Sequence, residues 1–145
     1  MSKPNVLFLC TGNSARSQMG EALLRHVAGD RFDAYSAGLE PKGVHPLTYR
    51  VLEEKAIATG TLESKSVKQY LGRLTIHHAM IVCAHANDNC PAIYPFALRT
   101  HYWPFDDPAA PGGSEEARLE KFREVRDQIA ERISRWLEEV ASESR

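Results

Sequence analysis

Short apolar runs alternate with longer amphipathic stretches along this chain of 145 residues. The apolar runs are typical of buried strands and predict four of them, at residues 5–9, 31–36, 79–82 and 99–103. The amphipathic stretches carry apolar residues at helical spacing and predict helices at residues 17–28, 45–55, 66–73 and 114 to about 140. We expect a turn at Ala37-Gly38 and a loop over residues 104–113, which hold three prolines and two glycines.

Strands that alternate with helices predict an α/β domain with a parallel sheet. The length suits one compact domain without internal repeats or linkers, so residues 1–145 are expected to form a single domain. The carboxyl ends of parallel strands meet at one edge of the sheet and form the rim of the site. Because Cys10, Cys83 and Asp107 each follow a predicted strand, we expect them at the same edge.

The segment from Cys10 to Ser17 carries the most specific chemistry. A cysteine ends a strand, the loop Thr11-Gly12-Asn13-Ser14-Ala15 follows, and Arg16-Ser17 opens a helix. The backbone N–H groups of such a loop converge with the helix N-terminus on one point, which favours a tetrahedral oxyanion. The same field stabilises a thiolate, and the Arg16 guanidinium can hold two oxyanion oxygens. We therefore predict an oxyanion-binding loop with Cys10 as nucleophile, and the alternative is a merely buried cysteine.

Composition and charge narrow the function further. The net charge is -1, so no basic field argues for nucleic acid as a partner. No apolar run approaches the roughly 20 residues of a membrane helix, and we expect neither a membrane segment nor a signal peptide. Three cysteines are an odd number, which argues against a static disulfide framework. The odd number of cysteines fits chemically active thiols in a reducing cytoplasm better than structural disulfides.

The other two cysteines, Cys83 and Cys90, bound a polar, asparagine-rich segment. Disulfide exchange would require Cys83 near Cys10, and Cys90 within reach of Cys83. A zinc site made of Cys83, His85, Asp88 and Cys90 is the alternative, although the segment lacks the paired spacing of common zinc sites. The remaining histidines show no ligand spacing, and we predict no metal.

Two acidic residues precede Pro108. Such a pair is usually only a turn. Beside a thiolate and an oxyanion, however, one of them can act as a general acid for a leaving oxygen. We choose Asp107, next to the proline, and expect Asp106 to be an ordinary loop or capping residue.

Taken together, these features resemble the thioredoxin-coupled arsenate reductases, which share the fold of low-molecular-weight protein tyrosine phosphatases. The resemblance covers essentially the whole chain. Its clearest parts are Cys10 to Ser17, Tyr35-Ser36-Ala37-Gly38, the pair Cys83 and Cys90 followed by Pro91, and Phe105-Asp106-Asp107-Pro108-Ala109. It implies a three-layer α/β fold with a four-stranded parallel sheet flanked by helices.

The resemblance also implies a reaction. Arsenate, for which phosphate or sulfate are mimics, binds the loop, and Cys10 attacks the arsenic. Cys83 then attacks Cys10 and releases arsenite, Cys90 attacks Cys83, and thioredoxin reduces the resulting disulfide without a metal or other cofactor. By the same resemblance, roles fall to further residues: Arg16 binds the oxyanion, Ser17 hydrogen-bonds the thiolate, Asn13 holds the loop in shape, and Asp107 protonates the leaving hydroxide.

One position departs from the family pattern. Some members hold a potassium ion near the loop with Asn, Glu, Ser and Asp side chains. Asn13, Glu21 and Ser36 match these, but Lys65 stands at the Asp position. We expect its ammonium group to replace the cation.

The main alternative is a low-molecular-weight tyrosine phosphatase that acts through a Cys10 phosphoenzyme. It needs Cys10, Arg16 and Asp107 but no second thiol. Such phosphatases place aromatic residues beside the acidic loop, where this chain has Tyr102 and Trp103 before it and Ala109-Ala110 after it. A binding module with an unreactive Cys10 is the non-enzymatic alternative.

Overall fold

The computed structural model describes residues 3–70, 72–83, 97–109 and 112–143. These residues form an α/β domain whose strands and helices alternate along the chain, as the apolar pattern predicts. The elements in order are β1 (Asn5–Cys10), α1 (Arg16–Ala28), β2 (Asp33–Gly38), α2 (Pro46–Glu53), β3 (Ile76–Ile81), β4 (Ala97–Tyr102) and α3 (Glu115–Glu143).

The four strands form one parallel sheet in the order β2-β1-β3-β4. The chain leaves β1 for β2 on one side and later returns to add β3 on the other. The carboxyl end of β1 is therefore the switch point of the sheet, where α/β proteins bind their ligands. Cys10 is the last residue of β1.

Helices α1 and α3 pack together over one face of the sheet, and α2 packs against α3. Phe8 of β1 and Trp136 of α3 both contact Trp103, with ring centroids 6.3 Å and 6.1 Å away. On β2, Tyr35 meets Tyr70 at 5.5 Å. This layered core confirms the predicted α/β class and its four-stranded parallel sheet.

Several predicted boundaries are wrong. Ala37 and Gly38 are not a turn but the end of β2, where Gly38 lies opposite Cys10. Strand β3 begins at Ile76, three residues earlier than predicted. The prediction missed this start because the polar residues His77 and His78 interrupt the apolar run. The predicted helix at residues 66–73 is limited to a single 3-10 turn, Val67–Gln69.

In the part of the chain that the structure describes, no helix combines the length and the apolar character needed to cross a membrane.

Candidate active site

The sulfur of Cys10 is held by two hydrogen-bond donors. Its Sγ atom is 2.8 Å from the Ser17 hydroxyl and accepts the backbone N–H of Asn13 at 3.2 Å. The Asn13 side-chain amide donates to the same hydroxyl oxygen at 2.8 Å, which leaves the hydroxyl proton for the sulfur. Hydrogen bonds to the charged form of a group favour that form, so this arrangement stabilises a thiolate.

The loop carbonyls point away from Cys10 because each accepts a hydrogen bond from outside the loop. The donors are Glu40 N–H to Thr11 (2.9 Å), Lys42 N–H to Gly12 (3.0 Å), the Gln18 amide to Asn13 (3.1 Å), and His45 N–H (3.0 Å) and the Thr48 hydroxyl (2.8 Å) to Ser14. The C=O and N–H of a trans peptide point in opposite directions, and the described residues contain no cis bond. The N–H groups of residues 12–15 therefore turn inward and form an anion-binding nest.

Asn13 supports the sharp bend of the loop. Its φ of 48° lies in the left-handed region, which asparagine tolerates better than most residues. The side chain is fully buried, and its Oδ1 accepts the backbone N–H of Lys65 at 2.7 Å. The bend is thus tied both to Ser17 and to a segment 52 residues further along the chain.

Gly38 lets β2 pass directly beneath this bend. A Cβ atom at this position would lie 2.7 Å from the Thr11 carbonyl oxygen and 2.8 Å from the Asn13 nitrogen. Backbone atoms cannot give way as a flexible side chain can. The close approach of two backbones therefore explains why glycine stands here.

A cavity of about 580 Å³ opens above the loop, and Cys10, Arg16 and Asp107 all line it. Arg16 is only 6% exposed, and one of its NH groups donates to the Phe105 carbonyl at 3.1 Å. Among the described residues no carboxylate pairs with Arg16. Its positive charge therefore remains available to an anion in the cavity.

The two acidic residues before Pro108 lie in different surroundings. Asp107 is exposed at the cavity, where its Oδ1 accepts the Ala109 N–H at 3.0 Å. Asp106 instead forms an ion pair with Lys121 of α3 at 3.0 Å. The structure therefore places Asp107, rather than Asp106, where a group bound at Cys10 can be reached.

Asn13, Glu21, Ser36 and Lys65 come together beside the loop. The Glu21 carboxylate is buried, and it accepts the Ser36 hydroxyl at 2.7 Å and Arg25 at 2.9 Å. The Lys65 ammonium lies 3.6 Å from the same carboxylate. Two cations thus already compensate its charge.

Cys83 lies just beyond the carboxyl end of β3, the neighbour of β1, and is fully buried. It is disulfide-bonded, whereas Cys10 is a free thiol. Cys90 and the further ligands of the alternative zinc site, His85 and Asp88, lie outside the described residues. Within the described ranges, no three His, Cys, Asp or Glu side chains cluster as a metal site would require.

His45 is a cavity residue that the sequence did not single out. Its Nδ1 caps α2 by accepting the Leu47 N–H at 3.0 Å, and its ring packs on Phe122 at 4.8 Å. Burial and the nearby Arg118 lower its pKa, while Asp107 opposes them. The imidazole is therefore predominantly neutral at neutral pH.

Sequence reasoning also missed Gln18, Lys42 and Thr48, which hold the loop from outside. The dipeptide His45-Pro46 is a recognisable helix start, since proline is favoured in the first turn. This signal could have placed the hydrogen-bond donors of His45 and Thr48 at the beginning of α2. No local sequence pattern could have shown that these donors bond to the Ser14 carbonyl.

The aromatic residues before the acidic loop do not face Cys10. Tyr102 and Trp103 line a second cavity of about 450 Å³, and Trp103 is buried in the core. Within the described part of the chain, no phenylalanine, tyrosine or tryptophan lines the Cys10 cavity. The aromatic wall that would hold a phenyl ring is therefore not supplied by these two residues.

Known proteins are similar to this chain over almost its whole length. The family model of the low molecular weight phosphotyrosine protein phosphatases matches residues 5–145. An arsenate reductase of Bacillus licheniformis is 40% identical over 141 residues, which cover 95% of this chain and 98% of that protein.

Solved structures of arsenate reductases have a similar fold. The structure of an arsenate reductase in the phosphate binding state superposes with a TM-score of 0.78 at 26% identity, covering 94% of this chain and 98% of the other. A thioredoxin-dependent arsenate reductase of Corynebacterium glutamicum gives a TM-score of 0.65 at 28% identity, covering 99% of this chain and 64% of its own. The three relatives just described are arsenate reductases. The chain therefore belongs to the low molecular weight phosphotyrosine protein phosphatase family.

Proposed function

We propose that this protein reduces arsenate to arsenite with Cys10 as the nucleophile. The observation that carries the proposal is the nest of inward N–H groups around the free Cys10 thiol, with Arg16 at the same cavity. A tetrahedral oxyanion fits such a nest. The arsenate reductases among its relatives, at about 40% identity over most of the chain, supply the choice of arsenate.

In the first step, the Cys10 thiolate attacks arsenic(V) and a hydroxide leaves. Arg16 binds the remaining oxygens, and Asp107 gives its proton to the leaving hydroxide, which departs as water. Ser17 holds the thiolate before the attack, and Asn13 keeps the loop in its bent shape. The product of this step is arsenic bonded to the sulfur of Cys10.

In the second step, Cys83 attacks the sulfur of Cys10 and a disulfide forms between them. The electron pair of the arsenic–sulfur bond stays on arsenic, which leaves as arsenic(III) in arsenite. Support comes from the position of Cys83 just beyond the carboxyl end of β3, beside the strand that ends in Cys10. Thiol exchange of this kind needs a thiolate and a reachable sulfur, without a metal.

In the third step, Cys90 attacks Cys83 and regenerates the Cys10 thiol. Thioredoxin then reduces the disulfide between Cys83 and Cys90, as the thioredoxin-dependent arsenate reductase of Corynebacterium glutamicum suggests. Because the cycle needs reduced thioredoxin, we propose that the protein works in a reducing compartment, the cytoplasm.

The test is turnover of arsenate by purified protein with thioredoxin, thioredoxin reductase and NADPH, beside an aryl-phosphate assay. We expect NADPH oxidation that depends on arsenate, and at most weak phosphatase activity. The variant Cys10→Ser should lose both activities, whereas Cys83→Ser should lose only steady-state arsenate reduction. Efficient aryl-phosphate hydrolysis without arsenate turnover would favour the phosphatase instead.

A further inference from the structure

Among the residues that the structure describes, the Ser14 carbonyl is the one loop carbonyl that accepts two hydrogen bonds from a single element, the start of α2. The Thr48 hydroxyl donates to it at 2.8 Å and the His45 backbone N–H at 3.0 Å. Thr48 is fully buried, in the first turn of α2, and 34 residues away from Ser14 in sequence. A buried hydroxyl is costly unless it is paired, so this contact is built into the fold.

The direction of this carbonyl fixes the direction of the next N–H. The peptide between Ser14 and Ala15 is planar and trans, so a carbonyl held toward α2 turns the Ala15 N–H toward the opposite side. Ala15 lines the cavity together with Cys10 and Arg16. Its N–H is thus one of the donors that an oxyanion at Cys10 would meet.

Ala15 also occupies the N-cap of α1. Because alanine offers no side-chain oxygen, no cap bond consumes the N–H groups of the first turn. These donors remain for an anion, but nothing on α1 itself orients the peptide that precedes them. The orientation has to come from outside, and the start of α2 supplies it.

We propose that Thr48 is a positioning residue of the oxyanion site. Its hydroxyl, with the His45 N–H, holds the Ser14–Ala15 peptide so that the Ala15 N–H faces the bound anion and the Cys10 sulfur. Thr48 contacts neither substrate nor sulfur and acts only through this peptide. The inference deepens the proposed function, on whose oxyanion-binding loop it rests, but it does not depend on which oxyanion is reduced.

The test compares Thr48→Val, which keeps the shape and loses the donor, with Thr48→Ser, which keeps the donor. Two properties are measured without arsenate: the midpoint pH of Cys10 alkylation, followed by peptide mass spectrometry, and the dissociation constant of inorganic phosphate. In Thr48→Val we expect a higher midpoint pH and phosphate binding weakened about fivefold, the order of one ordinary hydrogen bond. Thr48→Ser should keep values close to those of the unmodified chain.

Val51→Ala is the matched control, because Val51 lies on the same helix and its fully buried side chain belongs to the core. It should lower stability and leave both properties unchanged. A folded Thr48→Val protein with unchanged midpoint and phosphate affinity would overturn the proposal. So would an equal shift in Val51→Ala, since that would assign the effect to general loosening.

If Thr48→Val does not fold, the second donor decides the question. His45 has a φ of -65°, which proline adopts, so His45→Pro removes the backbone N–H without changing that angle. His45→Ala retains the N–H and loses only the imidazole. We expect the midpoint pH of Cys10 alkylation and the phosphate dissociation constant to rise further in His45→Pro than in His45→Ala. Equal values in the two variants would overturn the proposal. Arsenate turnover, measured separately, tests the proposed function alone.

Discussion

At the scale of single residues, the site depends on where backbone atoms are forced to lie. Gly38 shows this most directly, because the loop passes so close to β2 that a methyl group would overlap the Thr11 oxygen and the Asn13 nitrogen. The residue has no chemistry of its own. It nevertheless decides whether the N–H groups of the loop can converge on Cys10.

We therefore predict that Gly38→Ala displaces the loop. The variant should be less stable by about 1–3 kcal/mol, as for other overpacked positions, and should bind phosphate more weakly. Urea denaturation and phosphate titration measure the two effects. Gly60→Ala is the control, since a Cβ there meets nothing within 4 Å. Wild-type phosphate affinity in Gly38→Ala would contradict the account of this contact.

Lys65 supports a second prediction at this scale. The Glu21 carboxylate beside the loop is already paired with Arg25 at 2.9 Å and faces the Lys65 ammonium at 3.6 Å, so it does not need a bound alkali ion. Thermal unfolding in matched sodium and potassium salts should give the same melting temperature. A potassium-specific rise of several degrees would show that Lys65 does not replace the cation.

At the scale of elements, the sequence predicted those parts of the site that one continuous stretch of chain forms. The step from β1 through the loop into α1 is contiguous, so the apolar run, the small residues and the helix start were enough to place Cys10 and Arg16. The start of β3 was missed because His77 and His78 look like a break. Both find partners only in the fold: His77 Nδ1 accepts the Asn5 N–H, and His78 packs against Trp136.

The half-buried histidines His78 and His101 predict a pH dependence of stability. His78 Nδ1 lies 3.1 Å from His101 Nε2, and burial, followed by the neighbouring His101, lowers the pKa of His78 to about 4. The unfolded chain, with a pKa near 6.5, binds the proton more readily than the folded chain does. The stability from the neutral imidazole is therefore present above about pH 6.5 and decreases as the pH falls toward 4.

Urea unfolding at several pH values between 7.5 and 4.5 measures this loss. His78→Gln removes the titrating group and should flatten the pH dependence, although its stability at pH 7.5 will be lower. The exposed His26→Gln should behave like the unmodified chain. If His78→Gln keeps the full pH dependence, other groups cause it.

At the scale of the whole molecule, the site joins segments that are far apart in sequence. The parallel sheet brings the carboxyl ends of β1 and β3 together, and the sequence alone supported this because both cysteines follow predicted strands. It could not support the contacts of Gly38 and Thr48 with the loop, and only the family resemblance placed Lys65 beside it. Those contacts depend on how the connections fold back over the sheet edge, and no local pattern encodes such packing.

The last prediction concerns the disulfide relay, in which the disulfide passes from Cys10–Cys83 to Cys83–Cys90. It applies to the chain from Cys83 onward. If the reduced protein held residues 84–90 as a helix, seven residues at a rise of about 1.5 Å would separate the two Cα atoms by about 10 Å. A disulfide needs roughly 4.4–6.8 Å. A disulfide between Cys83 and Cys90 would then require that segment to change its conformation, which the run Asn87-Asp88-Asn89 favours because such residues have modest helix propensity.

Amide hydrogen exchange across residues 83–95 should therefore differ between reduced protein and protein oxidised by one equivalent of arsenate. Peptide mapping of the oxidised sample should find Cys83 linked to Cys90, and Cys90→Ser should instead accumulate the Cys10–Cys83 link. Unchanged exchange in a sample that carries the Cys83–Cys90 disulfide would exclude the conformational change. If neither link forms while arsenite is released, the electrons do not come from these thiols, and the relay itself is wrong.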